Sequence, residues 1–340
     1  MAEDNTSPQS GPTGLEDAWR RFAVYDHHAS AVQRKFLALR IGIWVLGVAA
    51  TTLAVVYAQV KPAEIKVLEP PDWSQWQFYL WLLVVAVPIT ASVLVAGAAK
   101  LDRGVTAILL RSAAEAIKRE IYRYRCRVAI YREHAPQSRT REERLAERVE
   151  AITGRLLDTD VMQSSLEPYR GKLPPQFGVA GDDDGFTDLT PEQYVAWRLD
   201  DQLAYMQGKA VKLDRQGRRL QWAIAGLGGV GTFLAAINLE LWLPVSVALA
   251  TALTGFLQLR GIDVQLAGCS RTALELENIK TWWQGMSAES RQDAGRFAAL
   301  VRKTESLLQS ENAEWAAEMQ EAIKEVEEEK KEEGGISSGV

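Results

Sequence analysis

Cysteine and histidine are nearly missing from these 340 residues, which hold two of the first and three of the second. Cys126 and Cys269 cannot make a disulfide framework, and both fall in segments read below as cytoplasmic, where thiols stay reduced. His27, His28 and His134 have no cysteine or carboxylate at metal-ligand spacing, so they read as surface helix positions. No G-x-S-x-G, Walker A or paired-carboxylate pattern occurs. No enzyme, cofactor or metal site is therefore expected. Glu143 with Glu147, and Arg144 with Arg148, sit at helical spacing and read as a solvated face. The basic residues are mixed with acids along helices rather than gathered on one face, which argues against nucleic acid as a partner. Almost no stretch alternates with the period of a strand. The opening MAEDNTSPQSGPTG is polar and acidic, so no signal peptide is expected there.

What the chain has instead is segregation. Its hydrophobic fraction of 47% and net charge of −5 look ordinary, but apolar blocks alternate with blocks rich in Arg, Lys and Glu. Between Glu311 and Glu333 ten acids face three lysines, so the remainder of the chain is about +2. The dominant block is Trp222 to Leu259, whose only charged residue is Glu240, close to the middle. A charge at the centre of one long span is costly, so the block reads as two spans folded back to back, about 222–238 and 241–259. Each arm nearly crosses a hydrocarbon core at 1.5 Å per helical residue. Trp222 and Trp242 then fall at opposite membrane faces, where indole rings settle.

Gly226, Gly228 and Gly231 within that block spell the dinucleotide fingerprint G-x-G-x-x-G. The fingerprint needs a strand before it and an acid about 20 positions on. A charged helical segment precedes it here, and positions 241 to 259 hold no Asp or Glu. Glycines so spaced in an apolar helix let a neighbouring helix approach closely, so Gly226, Gly228, Gly229 and Gly231 are read as packing positions.

In chain order, 1–14 reads as a disordered leader and 15–165 as a first two-span helical unit, with spans about 41–57 and 78–98. Pro88 lies inside the second of these, tolerable in a membrane helix. Charged helices follow, over about 101–134 and 140–165. Residues 166–189, with Pro174-Pro175, several glycines and Asp182-Asp183-Asp184-Gly185, read as a linker. An EF-hand loop fails there, because positions 1 and 12 would be Ala180 and Pro191. Thr190 opens the second two-span unit, 190–331, as an N-cap with Pro191 at the first helical position and Gln193 completing a capping box. Its helices run on to about Gly285 and from about Ser287 to Lys331, before a disordered tail, 332–340. Val301, Leu308, Trp315, Ala322 and Val326 form a near-heptad stripe, suited to a coiled coil between subunits or to packing on the chain itself. The fold class is thus an all-α membrane protein, with two transmembrane helical hairpins (four spans) and long cytoplasmic helical extensions.

Orientation follows the positive-inside rule. Arg34, Lys35 and Arg40 precede the first span, Lys100, Arg103 and Arg111 follow the second, Lys209 to Arg219 precede the third, and Arg260 follows the fourth. The tips offer only Lys61 and Lys66 beside acids, and Glu240. Both termini are expected on the cytoplasmic side of the inner membrane.

The two halves also echo each other. Arg111-Ser-Ala-Ala-Glu115 after the second span matches Arg271-Thr-Ala-Leu-Glu275 after the fourth, and Trp19-Arg20 with Tyr25 matches Trp197-Arg198 with Tyr205. With Gln202, Lys209-Ala210, Trp282-Trp283 and the segment Val301 to Met319 in the second half, and Ala29 and Lys118 to Tyr124 in the first, the chain resembles two SLATT domains in tandem over roughly 15–325. These are the two-transmembrane effector domains found with SMODS nucleotidyltransferases and SLOG proteins. The resemblance implies membrane-pore effectors in prokaryotic conflict and defence, with no catalytic residues. It also implies a cytosolic protein or nucleotide signal as partner, although no sensor domain is fused to this chain.

Four spans enclose little space, so a pore requires a homo-oligomer in the lipid bilayer. Candidate pore or tip residues are Asn238, Glu240, Thr232, Thr251 and Thr254; symmetry would turn a single Glu240 into a ring attracting cations. Hydroxyls in spans also bond a backbone carbonyl one turn back, which needs no pore. The alternative function is a non-conducting anchor or adaptor that recruits a cytosolic partner.

Overall fold

A computed structural model describes residues 13–60, 76–100, 103–132, 139–163, 165–313 and 316. Among the described residues the chain is helical, with no strand. The long elements are α1 (Gly14–Val60), α2 (Trp76–Lys100), α3 (Arg103–Arg125) and α4 (Arg141–Gly154). After the short α5 (Pro191–Tyr194) and a π-helical turn, Val195–Leu199, come α6 (Asp200–Ala236), α7 (Leu243–Arg260) and α8 (Ile262–Gln284). The short α9 (Ala288–Arg291) precedes a final helix, α10, over 294–313. The expected leader falls almost wholly outside the described residues, as do the first tip with Lys61 and Lys66, His134, the stripe positions Trp315, Ala322 and Val326, and the tail.

Three helices are long and apolar enough to cross a membrane: Gly14–Val60, Trp76–Gly97 and Glu240–Gln284. The expected third span, 222–238, is not among them. It is the end of the charged α6, which stops at Ala236, and its four glycines dilute the apolar content. The dinucleotide-like glycines lie inside this unbroken helix.

The chain divides into two compact units that cut across the sequence halves. Among the described residues, one comprises 13–31, 105–209 and 267–316, and the other comprises 32–104 and 210–266. Several helices belong to both: α1 gives 14–31 to the first unit and 32–60 to the second, α6 gives 200–209 and 210–236, and α3 and α8 each give their first few residues to the second unit and the rest to the first.

The first unit has a conventional buried core. Trp19 and Phe22 of α1, Ile117 and Ile121 of α3, and Leu145 of α4 are sealed in one cluster. Tyr122 of α3, Tyr194, Leu199, Trp283 of α8, and Leu300 and Val301 of α10 make a second. The described part of the heptad stripe, Val301 and Leu308, is therefore buried within the single chain.

Two expected helices end early, each because the chain turns back to bury something. α3 stops at Arg125, and Arg127 and Ala129 take left-handed φ of 51° and 56°. That reversal brings Tyr131 into the core, where its hydroxyl donates to Glu120 Oε2 at 2.8 Å. α4 ends at Gly154 so that Leu156 and Val161 can pack with Ala29 and Leu110.

The expected linker is an ordered, packed segment. The indole N–H of Trp19 donates to Gly185 O at 2.8 Å, and Phe177 lies 5.9 Å from the Phe22 ring. A Cβ on Gly178 would come within 2.9 Å of both Phe22 and Trp19, so only glycine lets the segment lie this close. Asp183, read as loop, is buried against Arg125. Composition marks such a stretch as linker because it cannot show that its one buried acid has a partner 58 residues away.

The start of α5 is as the residues require. Thr190 accepts from Gln193 N at 3.3 Å, and the Gln193 side chain accepts from Thr190 N at 3.0 Å, with Pro191 in the first turn. Thr190→Ala is expected to cost about 1 kcal/mol of unfolding free energy, read from chemical denaturation in detergent. Thr190→Ser should leave it almost unchanged.

Candidate functional site

The second unit contains a cleft of roughly 910 Å³, walled by α1, α6 and α7. Arg40 and Trp44 come from α1, Gly228, Gly231 and Thr232 from α6, and Ser246, Thr251, Thr254, Gly255 and Gln258 from α7. Among the described residues on the wall, Arg40 is the one that is ionisable.

Two glycines set how closely the walls meet. A Cβ on Gly231 would lie 2.9 Å from Ser246 Oγ and 3.3 Å from Leu243 Cδ1, so α6 and α7 meet here through glycine. A Cβ on Gly255 would lie 3.2 Å from Trp44, whose ring also meets Phe256 edge-on at 6.2 Å. Gly226, Gly228 and Gly229 have nothing within 4 Å of a Cβ position. Of the four glycines read as packing positions, Gly231 is the one whose Cβ position meets another helix, while Gly228 lines the cleft without such a contact. Gly255 was missed, because its partner Trp44 lies 211 positions away in sequence.

Gly231→Ala tests the contact. The added methyl must displace Ser246 Oγ, which donates to Leu243 O at 2.9 Å. Despite the better helix propensity of alanine, the variant is expected to lose about 1 kcal/mol. In a Ser246→Ala background the Oγ clash is absent, the flexible Leu243 side chain can yield at its 3.3 Å contact, and Gly231→Ala should be near neutral. Thermal unfolding of the four proteins in one detergent decides it.

The cleft brings together three of the five candidate pore residues, Thr232, Thr251 and Thr254. Thr232 donates to Gly228 O at 3.1 Å and Thr254 to Ala250 O at 2.9 Å. Thr51, Thr52, Thr90 and Ser92 do the same on their own helices. These hydroxyl protons are spent on backbone, leaving the wall less polar than its composition. Asn238 and Glu240 are elsewhere, exposed in the turn between α6 and α7. Asn238 has a φ of 58°, and Leu239 N donates back to Leu234 O at 2.9 Å. This is a left-handed helix end in which asparagine takes the place usual for glycine.

The first unit concentrates buried charge. Glu305 of α10 accepts from Arg198 at both oxygens, each at 2.9 Å, and from the Tyr194 hydroxyl at 3.0 Å. The Arg198 guanidinium lies 4.5 Å from the Tyr122 ring centre. Burial opposes the charge on Arg198, but the Glu305 carboxylate outweighs it and raises the arginine pKa. Burial, then the Glu305 charge, push the Tyr194 hydroxyl well above its ordinary value. Burial likewise raises the Cys126 thiol, which disfavours a reactive thiolate. Lys118 is depressed by burial and only partly restored by Glu115. These groups hold helices together; none faces the cleft.

The repeat noted in sequence has a structural counterpart. Arg111 pairs with Glu115 at 3.8 Å and Arg271 with Glu275 at 3.9 Å, each across one helical turn. The Trp-Arg pairs diverge, since Arg198 is buried where Arg20 is exposed.

Comparison with known families agrees with this picture. Residues 194–315 match the SMODS and SLOG-associating 2TM effector domain 1, and residues 20–139 match a family described as Protein of unknown function (DUF4231). No curated protein and no solved structure matches the chain. Among the described residues the molecule is helical, with three helices long and apolar enough to cross a membrane, and its residues 194–315 are similar to the SLATT-family two-transmembrane effector domain.

Proposed function

We propose that this protein is an oligomeric pore or channel-like effector of the inner membrane, gated by its cytoplasmic helices, with a role in prokaryotic defence or stress response. The observation that carries the reading is that α1 and α6 are each one unbroken helix belonging to both compact units. A rearrangement of the first unit's buried network would act directly on helices that carry the apolar spans. The family that 194–315 resembles is one of two-transmembrane domains, which supports counting the end of α6 with α7 as a hairpin and the chain as four spans. The basic residues flanking the spans support cytoplasmic termini and an outer α6–α7 turn.

In this arrangement Glu240, exposed in the turn, lies at the outer mouth. Copies arranged around an axis would form an acidic ring. Purified protein in liposomes is expected to conduct ions. Glu240→Gln should lower the cation-to-anion permeability ratio roughly fivefold, the effect of losing about 1 kcal/mol at a solvated site. Absence of flux across salts, pH and voltage would instead leave a membrane anchor that recruits a cytosolic partner.

A further inference from the structure

The cleft in the second unit has the attributes of a lipid site. Between Ser246 and Gln258 it follows twelve residues of α7, about 18 Å of helix, which exceeds the half-thickness of a ~30 Å hydrocarbon core. Its volume of roughly 910 Å³ falls in the range of pockets that enclose a small ligand. Most of the wall is apolar, and the protons of Thr232, Ser246 and Thr254 are donated to carbonyls of their own helices. Such a surface offers water few of the partners it needs and suits methylene groups.

One end differs. Trp44 sits against Gly255 and Phe256, so Arg40, one turn earlier on α1, shares the Gln258 end of the cleft. A guanidinium beside an indole and an amide, at the end of an apolar groove, is the chemistry that receives an anionic headgroup at a membrane interface. A second copy of the chain offers a poorer match. The apolar stretches 41–60, 76–97, 222–236 and 243–259 contain no Asp or Glu to place beside Arg40.

We propose that the cleft between α1, α6 and α7 binds an acyl chain of an anionic glycerophospholipid, whose phosphate lies at the Arg40–Gln258 end. The proposal rests on reading the second unit as membrane-embedded and is independent of whether the chain conducts.

The test uses the full-length protein in detergent, with dioleoyl phosphatidylglycerol, dioleoyl phosphatidylcholine and inorganic phosphate as probes. Native mass spectrometry is expected to show one phosphatidylglycerol retained per chain, together with a raised thermal midpoint. Phosphatidylcholine should be retained more weakly. Arg40→Gln should weaken phosphatidylglycerol retention roughly tenfold, as for loss of one charge-assisted contact, and phosphatidylcholine less, because its choline cation already offsets the phosphate. Because Arg40 is buried and its variant risks misfolding, Thr251→Phe serves as a second probe, filling the groove without touching the charged end. It should abolish retention of both lipids while keeping wild-type helicity. Equal retention of the two lipids would overturn the proposal. So would full retention by Thr251→Phe, stabilisation reproduced by phosphate alone, or a Thr251→Cys disulfide between copies that lipid does not suppress.

Discussion

Glu305→Ala should be among the most damaging single changes in the first unit, lowering its stability by about 3–5 kcal/mol. The carboxylate is 2% exposed and receives two hydrogen bonds from Arg198 and one from Tyr194. Removing it strands a guanidinium in a site sealed by Tyr122, Trp283 and Val301, where water cannot replace the lost acceptor. Denaturant unfolding followed by near-ultraviolet circular dichroism reads the loss directly, since the affected cluster is aromatic. The paired variant Arg198→Leu with Glu305→Leu removes both charges and is expected to recover most of the stability. A single variant costing under ~1 kcal/mol would show that the pair is solvated and that α10 is not held by it.

Asp183→Ala should cost a comparable 3–5 kcal/mol. Arg125 and Asp183 form a two-pronged pair at 2.8 and 2.5 Å, both side chains fully buried, and Arg125 also donates to Thr187 O at 2.9 Å. The loss should appear in unfolding and in new protease cleavage between residues 169 and 189. The neighbours provide the control. Asp182 is exposed, and its alanine variant should stay within about 0.5 kcal/mol of wild type. Asp184 is exposed but accepts from the backbone of Phe186 and Thr187 at 2.8 and 2.9 Å. Although burial raises its pKa, hydrogen bonds from Thr187 and Phe186 outweigh that and hold the carboxyl below its ordinary value. Its stabilisation is therefore present above the ordinary carboxylate pKa of roughly 4 and is lost as pH falls through the depressed value. Three identical side chains in a row should thus give three different results. Equal costs at all three would mean that the run acts only through its net charge.

Much of the architecture was legible because membrane helices are specified by length and apolarity. The spans within α1, α2 and α7 follow from uninterrupted apolar runs, and the start of α5 from Thr190, Pro191 and Gln193, which act through contacts three residues apart. The expected third span, 222–238, is not among the helices apolar enough to cross a membrane: four glycines and an early stop at Ala236 leave the end of α6 weakly apolar. Gly231 announced itself as a packing position, but Gly226, Gly228 and Gly229 looked identical to it, since spacing cannot say which side of a helix faces a neighbour.

Local and periodic properties, then, were determined by the sequence alone: an all-helical chain, where its apolar runs lie, its capping boxes and its repeated Arg–Glu turns. Partners far apart were decided only by the tertiary structure. Asp183 with Arg125, Glu305 with Arg198, Gly178 under Trp19 and Gly255 under Trp44 each depend on two elements meeting. A buried acid differs from a solvated one only in what lies opposite, and residue type carries no record of that. The same reason separates the five candidate pore residues: three threonines gather on a cleft whose charged end, Arg40, had been read only as a marker of orientation, while Asn238 and Glu240 remain at the turn.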